Sequence, residues 1–389
     1  MSAIGFLPIL ATVVVGAEDP VDEQADGAQS APFAAAESAD IDSPLQPLAW
    51  VQKHSKITFS GSFDTLFMGV VGGDGADSAT GMDATLIFER PLLGHWLDKN
   101  LTLYGRFRYR SGLWNQAPAS LGPSIGTAWG VIDGFNDVGF EIPDLFFRQL
   151  FPDKNVEVRY GQMVIDSQLD GQPVGGAKRA FHNRAFSANP AAAFPRLGAG
   201  ATIAWDPDGP WDLVYALTTV QGSESDDQVD FKFSSSNFFQ ALQFGYSFPG
   251  DDPGPRRLQL MLWHSDEAPE SDRGPGEGLS LTYSHRFNDP INAAFCRIAC
   301  ASGEVSDASL MVVGGITAKR SEKELVGIGI GVGEGNLTND WNGVVEGFYR
   351  RQLGDHGSAA INGQLLVGEG FNDSGSVRFL LGASARVSF

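Results

Sequence analysis

The 389-residue chain has no run of about 18 apolar residues, so no helix in it is built to cross a bilayer. Basic side chains are scarce, 27 against 47 acidic ones, and the formal net charge is −20. Nucleic-acid binding needs Lys and Arg to replace phosphate counterions, so that class of partner is excluded. Only two cysteines occur, Cys296 and Cys300, and their Cys-x3-Cys spacing has no His pair nearby to complete a zinc site. Charged residues, at 19%, fall short of the roughly 25% usual for soluble domains. Catalytic signatures are missing too. The six histidines are scattered, with no His-Glu-x-x-His and no Gly-x-Ser-x-Gly, and Gly171 to Lys178 lacks the Gly-Lys-Ser/Thr ending of a phosphate loop. No catalytic residue, metal or cofactor is therefore assigned.

What the chain does hold is 48 Gly, 27 Phe and 42% hydrophobic residues, a turn-rich and aromatic-rich composition well above that of a disordered chain. A mean hydropathy of −0.10 is too low for a bundle of membrane helices. Arginine outnumbers lysine 19 to 8, which suits fixed, forked hydrogen bonding.

The two ends differ in kind. Residues 1–17 contain the short apolar run Ala3 to Ala17, closed by Val15-Gly16-Ala17, and read as an export signal, with a buried N-terminal strand as the alternative. Residues 18–50 are acidic and rich in Ala, Ser and Pro, which predicts a flexible lead-in. From Val377 onward the chain alternates strictly. Val377, Phe379, Leu381, Ala383, Ala385, Val387 and Phe389 share one face, and Arg378, Gly382, Ser384, Arg386 and Ser388 share the other. A period of two over this length is a strand with one apolar and one polar face.

The same period, with turn residues between, gives sixteen strands at about residues 56–70, 82–90, 100–110, 141–150, 155–163, 198–205, 210–220, 237–248, 256–264, 278–287, 291–301, 308–318, 324–333, 342–352, 358–368 and 376–389. An even count closes a barrel with both chain ends on one side, so residues 51–389 are expected to form an all-β, transmembrane antiparallel barrel. Connections after even strands are mostly compact. Those after odd strands include the longest, Ser111 to Phe140 and Val164 to Leu197. Short turns on one side and long loops on the other are the asymmetry of an outer-membrane barrel.

Facing supports this. Leu101, Leu103, Phe107 and Tyr109 lie on one face of the third strand, and Arg106, Arg108 and Arg110 on the other. Each arginine in contact with lipid at the bilayer midplane costs roughly 2–4 kcal/mol, so the arginine face must look inward. By the same alternation Glu157, Arg159, Arg297 and Glu346 are expected to be wall residues of the interior. Within a strand the two cysteines lie about 13 Å apart, too far for a disulfide, and behave as small hydrophobes; within a loop they would form a small ring. The loop 164–197 carries Asp166, Asp170, Lys178, Arg179, His182, Asn183, Arg184 and Arg196 among phenylalanines. Folded inward it narrows the pore; otherwise it is a surface loop.

The order Leu145-Phe-Phe-Arg-Gln-Leu, Val156-Glu-Val-Arg-Tyr-Gly-Gln162, Phe181-His-Asn-Arg-Ala-Phe186 and Gly198-Ala-Gly resembles the carbohydrate-selective outer-membrane porins of the OprB kind. Ile57 to Gly73, Lys323 to Ile330 and Val345 to Arg350 are similar to the same family. The resemblance implies a sixteen-stranded channel in the outer membrane of a Gram-negative bacterium, passing sugars and similar small hydrophilic solutes without cofactor or turnover. It implies an eyelet lined by arginine and acidic side chains, with Asn183 carried over in Phe-x-Asn and Arg184 beside it. Implied partners are outer-membrane lipid and a barrel-assembly machinery that reads Phe389; a homotrimer is common among porins of this size. The alternatives are a general or anion-selective porin, an outer-membrane enzyme using Asp166 or Asp170 with His182, and a soluble exported β-rich binding protein.

Overall fold

The computed structural model describes residues 55–71, 78–92, 100–174, 176–220, 229, 237–249, 255–268, 273–287, 291–369, 371 and 376–389. The expected export signal and acidic lead-in lie outside the described residues. Sixteen strands follow in order: β1 Thr58–Val71, β2 Ser78–Pro91, β3 Leu101–Gly112, β4 Gly139–Phe151, β5 Val156–Met163, β6 Gly198–Trp205, β7 Trp211–Thr219 and β8 Phe238–Phe248. The second half comprises β9 Arg256–Ser265, β10 Gly276–Arg286, β11 Ile291–Gly303, β12 Ala308–Ser321, β13 Glu324–Gly335, β14 Trp341–Leu353, β15 Gly357–Gly368 and β16 Val377–Ser388. Each pairs antiparallel with its neighbours in sequence, and β1 pairs with β16 from Ser62↔Ser388 to Val71↔Phe379, which closes the barrel. Closure leaves no free sheet edge, the condition for backbone N–H and C=O groups to be satisfied in hydrocarbon.

All sixteen expected strands are present. β2 begins at Ser78, four residues before the sequence reading places it, because Ser78, Ala79, Thr80 and Gly81 are too small to show a hydrophobic period. At the seam, Gly61 and Phe389 exchange two backbone hydrogen bonds of 3.0 Å. A Cβ on Gly61 would stand 2.6 Å from the Phe389 ring, so only glycine lets the terminal ring lie flat on β1.

Apolar side chains point out and polar ones in. Ile298, Ile328, Ile330, Ile361, Leu381 and Val387 are exposed on the exterior, whereas Gln259, Thr282, Arg297, Glu346 and Gln364 are buried inside. Trp205, Trp211, Tyr246 and Phe248 gather at the short-turn end, with Trp211 and Tyr246 rings 4.4 Å apart, the amphipathic aromatics that suit a membrane–water boundary. Cys296 and Cys300 are free thiols on β11; Cys296 shares the exposed face with Ile298, opposite Arg297.

One irregularity positions the interior. Between β3 and β4, Arg106 faces Asp144 and Arg108 faces Glu141, so β4 carries an extra residue at Ile142-Pro143. Proline has no N–H for the ladder and is tolerated at such a bulge. Gln162 Nε2 donates to the freed Ile142 carbonyl at 2.5 Å. The bulge aims Asp144 at Arg106, 2.6 Å from its Nε, and lets the other Asp144 oxygen accept the Val164 N–H at 2.9 Å, where the loop after β5 departs.

Candidate functional site: two inward loops and the charged lumen

Two long connections, 113–138 and 164–197, fold into the barrel instead of away from it. The first carries helix α1, Pro118–Ile125, with proline in its first turn and Gly126 capping its end at φ +81°. Leu121 of the helix and Trp129, Val131, Ile132 and Phe135 after it are buried, an apolar content unsuited to a loop in water. The second carries Phe181 and Phe186, rings 5.0 Å apart and both fully buried. They rest on a flat stretch of wall. β12 and β13 turn Gly315 and Gly329 toward them, and a Cβ on either glycine would come within about 3 Å of a phenylalanine ring. Phe348 of β14 closes the cluster edge-on to Phe181 at 5.0 Å.

Buried polar bonds fix the loops. Glu346, 0% exposed on β14, accepts the backbone N–H groups of His182 at 2.7 Å and Asn183 at 2.9 Å. Asn183 caps the short helix α2, Arg184–Ser187, by accepting from Ala185 N. It also accepts from Trp129 Nε1 at 3.2 Å and donates to Gln364 Oε1 at 3.0 Å. Gln364 in turn donates to Val131 O at 2.9 Å, so one network holds both loops to β14 and β15.

A second anchor lies beside the first, on β10 and β11. Asp170 sits at φ +53°, a left-handed conformation that Asp tolerates better than most residues. Its carboxylate takes Arg297 Nη1 at 2.8 Å, Thr282 at 2.9 Å, Ser280 at 3.2 Å and Asn189 at 2.6 Å. Arg297, 1% exposed, also donates to the carbonyls of Ala185 and Ala188.

The expected site residues thus fall into three groups. Asn183, Arg297 and Glu346 meet at the seat of the second loop and bond to its backbone. Arg106 and Arg108 stand on β3 in a charged group with Asp83, Asp144 and, from the loops, Asp133, Asp166, Lys178 and Arg184. Arg184 pairs with Asp307 at 2.6 Å. Glu157 and Arg159 are not in this group; they pair with each other at 2.5 Å on β5, nearer the short-turn end. Sequence reasoning left out Asp64, Asp83, Asp133, Arg350 and Arg386. For the strand residues among these, the signal lay in the polar faces of the first, second, fourteenth and last strands, since every inward charge there shares one lumen.

The electrostatics single out Asp166 and His182 of the second loop. Enclosure by the barrel, then the neighbouring Asp133 and Asp144 carboxylates, push the Asp166 carboxyl up to about 6, against the pull of Arg106 and Arg108. Asp166 nonetheless stays open to lumen water. Burial, reinforced by Arg350, holds the His182 imidazole down to about 3, so it is neutral at ordinary pH. Asp170 is committed to Arg297 and its neighbours, and among the described residues no carboxylate hydrogen-bonds the His182 imidazole.

No protein-family model matches the chain, and no curated protein does. Solved structures match in fold. OprB of Pseudomonas putida at high pH superposes with a TM-score of 0.71 at 12% identity, over 88% of this chain and 96% of that one. An anion-selective porin from Comamonas acidovorans gives 0.54 at 12% identity, over 86% and 99%. OmpF of Salmonella typhi, in complex with daunomycin, gives 0.55 at 11% identity, over 86% and 97%. The fold is thus the closed sixteen-stranded antiparallel barrel that these porins share.

Proposed function

We propose that the protein is a diffusion channel in the outer membrane of a Gram-negative bacterium, passing sugars and similar small hydrophilic solutes without chemical turnover. The observation that carries the reading is the lumen itself: inside an apolar-coated closed barrel, two loops bring Asp133, Asp166, Lys178 and Arg184 toward Arg106 and Arg108 of the wall. A sugar crossing there exchanges water hydrogen bonds for bonds to fixed guanidinium and carboxylate groups, weak enough in sum to permit exit. Arg106, Arg108, Glu157, Arg159 and Arg184 act as wall contacts; Asn183, Arg297 and Glu346 shape the passage by seating the loop. Phe389, on the seam, is the residue read during barrel assembly.

The test is swelling of liposomes containing the purified protein across sugars of increasing size. Small sugars enter and larger ones do not, and R106A/R108A at least halves sugar block of single-channel current in planar bilayers. A preparation with no pores, or a double variant with unchanged block, overturns the reading.

A second reading, an anion-favouring general porin, has its own support: Asp64 and Asp83 are shared by Lys178, Arg386 and Arg108, and Arg350 adds a fourth cation beside them. Reversal potentials in a salt gradient separate the two. They also report Asp166. Above about pH 6 its carboxyl is charged, and below that the lumen loses one negative charge while Arg106, Arg108 and Arg184 stay positive. Anion preference should therefore rise as pH falls from 7.5 to 5. D166N should show the low-pH selectivity already at pH 7.5 and lose that part of the response; an unchanged pH response in D166N contradicts the assignment.

A further inference from the structure

Beneath the second loop, toward the short-turn end, a small partly open pocket lies between the loop and the wall formed by β1, β14, β15 and β16. Its lining includes three cations, Lys178, Arg350 and Arg386, with Ser358 and the imidazole of His182. One acid lines it, Asp64, and that carboxylate is already shared by Lys178 at 3.4 Å and Arg386 at 3.3 Å. Lys178 reaches on to Asp83 at 2.9 Å, where Arg108 stands 3.8 Å away.

Arg350 is the odd member. Its one hydrogen bond among the described residues runs from Nη2 to the carbonyl of Lys178; its Nε has no partner, and Asp64, the carboxylate that attracts it, is already in ion pairs with Lys178 and Arg386. His182 Nδ1 is likewise without a partner although the residue is 2% exposed. A guanidinium held out of bulk water with unused donors, beside two further cations, is uncompensated charge that an anion would neutralise. The planar fork of arginine matches the oxygens of phosphate and carboxylate, and charge-assisted bonds of that kind are the strong ones.

We propose that this pocket is a binding subsite for a small oxyanion, a phosphate or carboxylate group, met by Arg350, Lys178 and Arg386 with Ser358 as a further donor. The pocket is small and partly open, so it takes only the outermost oxygens of the anionic group and leaves the remainder of a solute in the lumen. The inference deepens the channel reading and rests on it for its place in transport, but binding is measurable without transport. A group held here by several weak contacts would concentrate acidic or phosphorylated solutes just past the loop.

Isothermal titration of the detergent-solubilised full chain tests it, with inorganic phosphate, glucose 6-phosphate and glucose as probes at matched ionic strength. Saturable binding of phosphate or glucose 6-phosphate, and none of glucose at the same concentrations, is expected. Tighter binding of glucose 6-phosphate assigns the subsite to an anionic sugar; equal binding assigns it to the free anion. R350Q should weaken binding at least tenfold and R350K by less, while R351Q, which removes the adjacent exposed charge on the opposite face, leaves it unchanged. Resistance of the folded barrel to unfolding in cold detergent confirms that each variant is assembled. No saturable anion binding by the wild type, or equal loss in R350Q and R351Q, overturns the proposal. Pores in a bilayer without anion binding sink the subsite alone, and anion binding without pores sinks the channel reading and leaves the subsite standing.

Discussion

Replacing Glu346 by alanine should raise single-channel conductance severalfold and admit sugars that the wild type excludes, with the barrel still assembled. The reason is local. The two carboxyl oxygens of Glu346 accept the His182 and Asn183 N–H groups, and the residue is wholly enclosed. Truncation leaves two buried donors without an acceptor, at about 1–3 kcal/mol each, unless the loop moves to reach water. Movement is the easier outcome. The strand ladders of β14 with β13 and β15 do not depend on the side chain, so the wall persists while the loop lifts. E346Q keeps a carbonyl oxygen for one donor and should lie between. Hydrogen exchange gives the matching readout: protection at His182 and Asn183 falls in E346A, and protection along β14 does not. Conductance and exchange both equal to wild type would show that the phenylalanine cluster alone seats the loop.

The barrel was legible because its chemistry repeats. A barrel strand presents apolar atoms to lipid and mostly polar ones to the lumen, so Leu103, Phe107 and Tyr109 against Arg106, Arg108 and Arg110 carry the facing of β3 without reference to anything else in the chain. Where side chains are small the signal fades, and Ser78 to Gly81 escaped for that reason. The inward address of Arg297 and Glu346 followed from the same alternation. What they touch did not, because their partners at Asp170, His182 and Asn183 lie far off in sequence and meet them only when the barrel is closed around the loop. The loop 113–138 was legible in length and not in direction. Its signal was the density of Trp129, Val131, Ile132 and Phe135, more apolar surface than a solvent-exposed connection has reason to carry. The glycines at alternate positions 327, 329, 331 and 333 had a meaning that alternation alone does not disclose. They are the inner face of β13, kept bare where loop rings or neighbouring side chains press against it.

The second anchor should respond differently from the first. Changing Arg297 to methionine keeps most of the side-chain volume but strands the Asp170 carboxylate, buried among Ser280, Thr282 and Asn189, with no cation. It also removes the donors to the Ala185 and Ala188 carbonyls. Breaking a buried pair from one side costs about 3–5 kcal/mol, so R297M is expected to lower the midpoint of urea unfolding markedly and to make the channel current noisy as the loop samples other positions. Removing the charge from both sides is a milder change. In R297M/D170N the amide can still bond Thr282 and Ser280, no charge is left uncompensated, and a substantial part of the lost stability should return. The coupling energy from the four proteins is the decisive quantity. A double variant that loses far less than the sum of the single losses places the role of Arg297 in neutralising Asp170. Additive losses would instead place it in the two carbonyl bonds, and the loop would then be held by its backbone alone.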